Sequence, residues 1–283
     1  MVLTSLVFLF AFGLKPGIDF TGGSLLHLKF DQAVSSREIT SLLTSNDLTG
    51  VIVQSSGDNE VIIKTKALNT QEERLSVLSL LEQNFGAFEE LRFDSVGPVI
   101  GSELKSKAMW QIFFVIIGIL LYIAYAFRNI AKSKVSSHIS SWKFSWAAIL
   151  ALVHDVVIVI GVFALLGKWM NVEVDILFIT AILTTLGFSV NDTIVVFDRI
   201  RENMQKEQGY TFPEIIDMSV SQSIVRSVNT SFTVLFVLLA LAFFGGQTIF
   251  YFVVALIVGV VVGTYSSIFI ASPFLFFSSR NKE

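Results

Sequence analysis

The ionisable residue Asp192 lies inside an apolar stretch, residues 180–201, with the sequence TAILTTLGFSVNDTIVVFDRIR. This composition predicts a membrane-spanning helix. A carboxylate costs several kcal/mol in hydrocarbon, so a span that keeps one usually faces a protein partner, a water-filled cavity or a proton route. At helical spacing Thr185 and Ser189 share its face, and Asn191 adjoins it in sequence. We expect Asp192 to be proton-linked, with these three residues as its polar support.

Arg226 carries the opposite charge inside the next predicted span. At helical rise, Asp192 and Arg226 lie about 24 and 27 Å from the outer ends of their spans. Opposite charges at one depth can pair, which removes most of the cost of each. A proton arriving at Asp192 would then release Arg226 and change how the two spans pack. The alternative is a buried ion pair that only fixes helix register.

Asp155 lies nearer the centre of an earlier span and is a second, tentative proton site or a hydrogen-bonded residue. His154 points about 100° away around the helix, which argues against a metal site or an acid–base pair formed by these two residues alone. We expect His154 and Asn229 to act as polar support within the membrane.

The sequence carries no motif of a familiar enzyme class. GxxxxGK[ST], HExxH and GxSxG are absent, and the glycine-rich Thr21–Ser24 leads into a strand instead of a phosphate-binding helix. With no cysteine, disulfides and thiolate metal sites are excluded. We expect no catalytic activity, no metal and no cofactor, with protons as the coupling ion.

Composition predicts an integral membrane protein. The 283 residues are 53% hydrophobic and 15% charged, with a mean hydropathy of +0.70. The net charge of −3 without a basic stripe argues against nucleic acid as a partner. About half of the charged residues lie in residues 15–107. We interpret this segment as a water-facing domain.

The polar segment predicts an α+β domain of the order β-α-β-β-α-β. The strands are expected at 24–30, 51–54, 60–66 and 88–96, and the helices at 35–45 and 69–85, the second with Thr70 and Glu73 at capping-box spacing. This order is typical of the ferredoxin-like sandwich. The domain could be a spacer or a surface that grips a polypeptide, and the sequence leaves both open.

Six membrane spans are predicted around this domain. Residues 1–14 form a shortened first span, since a helix of this length reaches only about 20 Å. The other spans are expected near 108–127, 145–167, 176–197, 226–244 and 249–277. Basic residues concentrate in loops 128–144 and 198–225 and in the C-terminal tail. By the positive-inside rule these regions and both termini are cytoplasmic, and residues 15–107 are extracytoplasmic.

Two further helical features are predicted. Thr211 and Glu214 have capping-box spacing with Pro213 in the first turn, and they open a short amphipathic helix that rests on the inner membrane face or binds a partner. The last span carries small residues at every fourth position, which favour close helix packing: Ala255, Gly259, Gly263, Ser267 and Ala271.

Several motifs resemble the SecF branch of the SecD/SecF family, within the RND superfamily of membrane proteins. They cover most of the chain and are, in order, Gly17-Ile18-Asp19-Phe20-Thr21-Gly22-Gly23, Val96-Gly97-Pro98, His154-Asp155, VNDTIVVFDRIREN at residues 190–203, and Arg226-Ser227-Val228-Asn229-Thr230-Ser231. The single external domain of modest size fits SecF better than SecD.

The resemblance implies a membrane subunit of bacterial or archaeal protein export. It implies six spans that pair with SecD, action beside the SecYEG channel, and proton flow that drives the external domains on an unfolded preprotein. The residues matching the family's proton-linked pair are Asp192 and Arg226. Two alternatives remain: half of an RND exporter of lipids or drugs, or a non-conducting scaffold of the translocon.

Overall fold

The computed structural model describes residues 1–55, 59–68, 70–128, 141–206 and 209–280. The chain forms two compact units, Pro16–Met109 and a second made of Met1–Lys15 with Trp110–Glu283. Elements up to the end of the smaller unit's sheet are α1 (Val2–Phe12), α2 (Ile18–Thr21), β1 (Gly23–Phe30), α3 (Ser36–Ser45), β2 (Ile52–Ser55), β3 (Glu60–Thr65), α4 (Gln71–Phe85) and β4 (Phe88–Val96).

Long helices make up the rest of the chain. They are α5 (Pro98–Ala126), α6 (Ser141–Met170), α7 (Ile176–Lys206), α8 (Phe212–Phe244), α9 (Gln247–Ser266), a π-helical turn (Ser267–Ala271) and α10 (Ser272–Arg280). Within the described part of the chain, five apolar helices are long enough to cross a membrane, namely α5, α6, α7, α8 and the Gln247–Phe277 run, while α1 is apolar but shorter. The protein is therefore a multi-pass membrane protein by helix length and composition.

The smaller unit contains a four-stranded antiparallel sheet of order β2-β3-β1-β4. Alternate residues of β1 and β3 pack with α3 and α4, as the period-two pattern of the strands predicts. The predicted capping box of Thr70 and Glu73 opens α4. The largest fully buried side chains of this core are Leu26, Leu28, Phe30, Ile39, Leu43, Ile63 and Leu81.

The glycine-rich motif that precedes β1 makes close backbone contacts within the smaller unit. Gly22 has φ +74°, and a Cβ added there would lie 2.8 Å from the Cα of Pro98. A Cβ on Gly101, in the first turns of α5, would lie 3.0 Å from the Gly22 nitrogen. Thr21 Oγ1 donates to the Gly17 carbonyl at 3.0 Å and closes the one-turn helix α2. Of the other motif residues, Asp19 and Phe20 belong to the same turn, Gly23 begins β1, and Gly97 precedes α5.

The core of the larger unit lies where α6, α7 and α9 meet. Phe144, Phe163 and Phe197 are fully buried there. The short helix α1 packs on α6 at Gly161, where an added Cβ would overlap Ser5. The predicted capping box of Thr211 and Glu214 is present at the start of α8.

The helices extend well beyond the apolar spans, and one prediction is wrong for this reason. The expected separate amphipathic helix after Thr211 is the first part of the continuous helix α8, because residues 214–244 contain no glycine or proline to interrupt it. Helix α6 begins at Ser141, inside the predicted loop 128–144. Residues 129–140 of that loop, with Lys132 and Lys134, lie outside the described residues.

Candidate functional site

A continuous set of buried polar side chains runs through the contact of the membrane-spanning helices. The members are less than one-tenth exposed. They come from α6 (Asp155), α7 (Thr185, Ser189, Asp192, Thr193), α8 (Ser219, Ser223, Ser227, Ser231) and the α9–π segment (Ser266, Ser267). Because a buried polar group needs a partner, these residues organise the helix contacts, and two of them, Asp155 and Asp192, are ionisable.

Asp155 is fully buried and is held by three side chains. Ser189 Oγ donates to its Oδ2 at 2.6 Å, and Ser266 Oγ donates to the same oxygen at 2.8 Å. His154 Nδ1 lies 3.0 Å from Oδ1. A carboxylate oxygen accepts hydrogen bonds, so both serine hydroxyls act as donors here. Three helices thus meet at one carboxyl group.

The contact of His154 with Asp155 contradicts the expectation that these two residues point apart. Their positions do differ by about 100° around the helix. The side chain of His154 nevertheless turns back to Asp155, and its ring stacks on Tyr265 with centroids 6.2 Å apart. Helical spacing fixes where a Cβ points but not where a long side chain ends, so the sequence argument failed here.

Asp192 is 5% exposed and receives a hydrogen bond from Ser267, whose Oγ lies 3.0 Å from Oδ2. The buried hydroxyl of Ser227 on α8 interacts with the same carboxyl group, although its geometry falls outside that of a regular hydrogen bond. Asp192 therefore lies in a small polar site between α7 and the last span.

The predicted ion pair between Asp192 and Arg226 is absent from this structure. Within the described part of the chain neither Asp155 nor Asp192 contacts a lysine or arginine at salt-bridge distance. Arg226 is exposed, whereas the buried face of α8 passes through Ser223 and Ser227. Position along the helices predicted that the two charges lie at one depth, but position does not fix the rotation of α8. Arg226 lies about 100° away from the buried face of α8.

The polar support residues divide into two groups. Ser189 is buried but serves Asp155 instead of Asp192, and Thr185 is buried with an unpartnered hydroxyl among the described residues. Asn191 and Asn229 are exposed on the outer faces of their helices. One face of α7 therefore takes part in two carboxylate sites. Its Ser189 binds Asp155 of α6, and its own Asp192 accepts a hydrogen bond from the last span.

The ridge of small residues on the last span packs against α7 of the same chain. A Cβ on Gly259 would overlap the side chain of Thr185, and one on Gly263 would lie 3.0 Å from the Cβ of Ser189. Ala255 and Ala271 are fully buried. Ser267, the fourth member, also donates to Asp192. The sequence analysis missed Ser266, whose signal was a second small polar residue beside the ridge.

Two family models match the chain. The model described as "Protein export membrane protein SecD/SecF, C-terminal" matches residues 76–281, and the one described as "SecD/SecF GG Motif" matches residues 7–34. The first covers well over half of the sequence.

The chain belongs to the SecD/SecF family.

Curated members of the SecD/SecF family support this assignment over the full length. The "Protein translocase subunit SecF" of Thermobaculum terrenum is 43% identical over 294 residues, covering 100% of this chain and 90% of the relative. The protein of the same name from Sebaldella termitidis is 40% identical over 289 residues, covering 100% of this chain and 88% of the relative. The resemblance to SecF found in the sequence is confirmed.

Two solved structures of SecDF, a larger protein of the same family, are similar to this chain. The crystal structure of SecDF from Thermus thermophilus, titled a translocon-associated membrane protein, matches with a TM-score of 0.84 at 34% identity. It covers 99% of this chain, which spans only 36% of the SecDF chain. SecDF in its super-membrane-facing form matches with a TM-score of 0.68.

Proposed function

We propose that this chain is a SecF-type subunit that works with a SecD partner and uses the proton motive force to promote preprotein translocation through SecYEG. The observation that carries this proposal is Asp192, a buried carboxyl group inside a membrane-spanning helix, with serine hydroxyls as its neighbours and no cationic partner among the described residues. The subunit performs transport work and carries out no chemical reaction of its own.

The proton binds at Asp192 and alters helix packing. An ionised carboxylate only accepts hydrogen bonds, whereas the protonated group also donates one. Proton uptake therefore reverses the direction of the hydrogen bond between Asp192 and Ser267, in the tight contact of α7 with the last span. Asp155, held in the same way between α6, α7 and α9, is the second proton-linked residue of the proposal.

Arg226 enters the cycle in a different rotational state of α8. It directly precedes Ser227, so a rotation of α8 by about 100° would exchange the serine for the arginine beside Asp192. An exposed arginine in an apolar span is unfavourable in lipid, which gives the rotation a driving force when Asp192 is ionised. The ion pair predicted from the sequence is then one state of the cycle, and the hydroxyl-bound carboxylate is another.

SecD is the partner that fits the outer faces of the membrane-spanning helices. Only 11% of the apolar window of α5 and 17% of that of α8 are buried within this chain, against 50% for α7 and 61% for the last span. A helix whose window is so exposed faces lipid or another subunit. We propose that part of this surface joins a SecD partner in a twelve-helix unit.

The membrane topology in this proposal has six spans, with α1 as a short sixth helix beside the five long ones. Residues 15–107 form the extracytoplasmic domain, and both termini are cytoplasmic in the cell membrane. The asymmetry of basic residues supports this orientation. The order of strands in the sheet, β2-β3-β1-β4, with two helices packed in its core, supports a ferredoxin-like fold for the external domain.

The test is the substitution Asp192→Asn in cells or vesicles that contain the full SecD and SecYEG assembly. We expect the variant to insert and to bind SecD but to lose the stimulation of preprotein translocation by the proton motive force, because the amide cannot bind and release a proton. Asp198→Asn is the matched control, since Asp198 is exposed on the same helix and paired with Arg201. Undiminished stimulation in Asp192→Asn would overturn the proposal.

A further inference from the structure

Two adjacent serines of the last span serve two different buried carboxylates. Ser266 Oγ donates to Asp155 on α6 at 2.8 Å, and Ser267 Oγ donates to Asp192 on α7 at 3.0 Å. Both serines are fully buried. Consecutive helical residues point about 100° apart, which is why one short segment reaches two neighbouring helices.

Each serine hydroxyl also has a second acceptor, a backbone carbonyl of its own helix. Ser266 Oγ lies 3.1 Å from the carbonyl of Gly263, and Ser267 Oγ lies 3.0 Å from the carbonyl of Thr264. A hydroxyl has one proton to donate and two lone pairs with which to accept. It can therefore donate to an ionised carboxylate, or it can turn to its own helix and accept a hydrogen bond from a protonated carboxyl group. Neither state leaves a buried polar group without a partner.

The serines stand at the point where the last span changes its geometry. Helix α9 ends at Ser266, and the π-helical turn begins at Ser267. Pro273 lacks an N–H and its ring would collide with the carbonyl of Phe269 in a regular α-helix, so a wider turn before it relieves the strain. Ser272 Oγ donates to the Ser267 carbonyl at 3.2 Å and ties the two ends of the turn together.

Among the residues that the structure describes, few other titratable or charged groups face this site. His154 contacts Asp155, and Tyr265 stacks on His154. Arg226 on α8 is exposed, one residue from Ser227. The neighbouring hydroxyls of Ser189 and Ser227 do not titrate in the physiological range. The two carboxyl groups are therefore the proton-binding groups that the serine pair contacts directly.

We infer that Ser266 and Ser267 are positioning residues that couple the proton occupancy of Asp155 to that of Asp192 through the π-helical turn. This inference rests on the proposed function, because it assumes that the carboxyl groups take up and release protons. Ser267 is the first residue of the turn and Ser266 is its N-cap, so reversal of either serine hydrogen bond shifts the backbone at the start of the turn that both serines share. A proton on one carboxyl group therefore changes the hydrogen bond at the other.

Difference infrared spectroscopy of the purified protein across a pH series tests the coupling without any translocation assay. The Asp155→Asn and Asp192→Asn variants assign the carboxyl bands. We expect Ser267→Ala to move the Asp192 band to higher frequency through the lost hydrogen bond and also to move the Asp155 band. Ser266→Ala should move the Asp155 band to higher frequency for the same reason and also move the Asp192 band. Ser267→Thr, which keeps the hydroxyl, should restore both bands.

The matched control is Ser145→Ala. Ser145 is fully buried on α6 and donates to the Ser141 carbonyl of its own helix, so this variant removes an equally buried hydroxyl outside the polar site. Unfolding temperatures of all variants show which of them are correctly folded. If each serine variant moves only the band of its own carboxyl group, or neither band, the coupling is refuted.

The two proposals fail in different ways. Loss of proton-driven stimulation in Asp192→Asn together with independent carboxyl bands would leave the proposed function intact and remove the serine coupling. Reciprocal band shifts together with undiminished stimulation would keep the coupling and remove its role in translocation. In a functional protein, the pH profile of stimulation should be displaced by Ser267→Ala and unchanged by Ser145→Ala.

Discussion

At the scale of single residues, the environments of Asp155 and Asp192 follow from three helices that are distant in sequence. Helical spacing alone placed Thr185, Ser189 and Asp192 on one face of α7, and all three are buried. Spacing could not show that Ser189 would bind Asp155, because that contact depends on where α6 approaches α7. Periodicity predicts which face is covered, whereas the identity of the covering residue is a long-range property.

The rotation of α8 decides which of its residues meets the site. Four serines at four-residue spacing line its buried face, and the last of them is in contact with Thr264 of α9. Arg226, the charged residue of the same stretch, lies beside this row of serines and outside the buried face. Small hydroxyls permit close packing of helices, so they displace a bulky arginine from the contact in this state.

Asn203 joins the ends of α7 and α8, and its removal should weaken the fold. Its amide nitrogen donates to Ser219 Oγ at 2.8 Å and to Gln222 Oε1 at 3.1 Å. We expect Asn203→Ala to destabilise the protein by about 1–3 kcal/mol because these bonds lie in a buried contact. The unfolding temperature of the purified protein in detergent measures the effect. Asn191→Ala, at an exposed position of the same helix, should leave it nearly unchanged, and equal effects of both variants would contradict the prediction.

At the scale of elements, the contact of α7 with α9 depends on the absence of a side chain. Gly259 lets the two backbones approach so closely that any Cβ would overlap Thr185. In a membrane, such packing replaces the hydrophobic effect as the source of helix association. The sequence predicted the ridge from its four-residue period but left its partner open, since a small-residue stripe carries no information about what it contacts.

Gly259→Ala should separate α7 from α9. Overpacking of a tight contact costs about 1–3 kcal/mol, so we expect a clear fall in unfolding temperature and weaker proton-driven stimulation. The control is Gly187→Ala on α7, where an added Cβ meets no atom within 4 Å. This control should be neutral or slightly stabilising, because alanine favours a helix more than glycine does. If only Gly187→Ala lowered the unfolding temperature, the packing explanation would be wrong.

The interruption of the last span by a π-helical turn was not predicted from the sequence. Pro273 marks a break in helical hydrogen bonding, but a proline alone does not determine whether a helix kinks, ends or widens. The turn coincides with the contacts of Ser266 and Ser267, which hold this segment against both α6 and α7. Its geometry is therefore a result of local chemistry and tertiary contact together.

At the scale of the whole molecule, two compact units divide the chain between apolar and polar surroundings. The boundary near residues 15 and 109 is close to the composition change that predicted it. Within the larger unit, burial is uneven: α6, α7 and the last span form the core, and α5 and α8 leave most of their apolar surface uncovered. A multi-pass protein of this kind has surface left for a second subunit as well as for lipid.

The proposed orientation can be tested directly because the chain contains no cysteine. Ser79 in the smaller unit and Lys206 at the end of α7 are both exposed. We expect Ser79→Cys to react with a membrane-impermeant maleimide in intact cells and Lys206→Cys to react only after the membrane is opened. The parent chain supplies an unreactive background. The opposite order of labelling would invert the topology and remove residues 15–107 from the outer side.

The sequence by itself determined the membrane class, the two-part division and the order of elements, since all of these depend on local composition and periodicity. For the same reason it predicted a role for Asp192, and that role stays a prediction. The tertiary structure decided that hydroxyl groups, not Arg226, surround the carboxyl group of Asp192 in this state. It also decided that the adjacent serines Ser266 and Ser267 contact Asp155 and Asp192, respectively. The physical reason is that helices in a membrane are set by length and hydropathy, but their rotation and neighbours are set by side-chain packing between segments far apart in the chain.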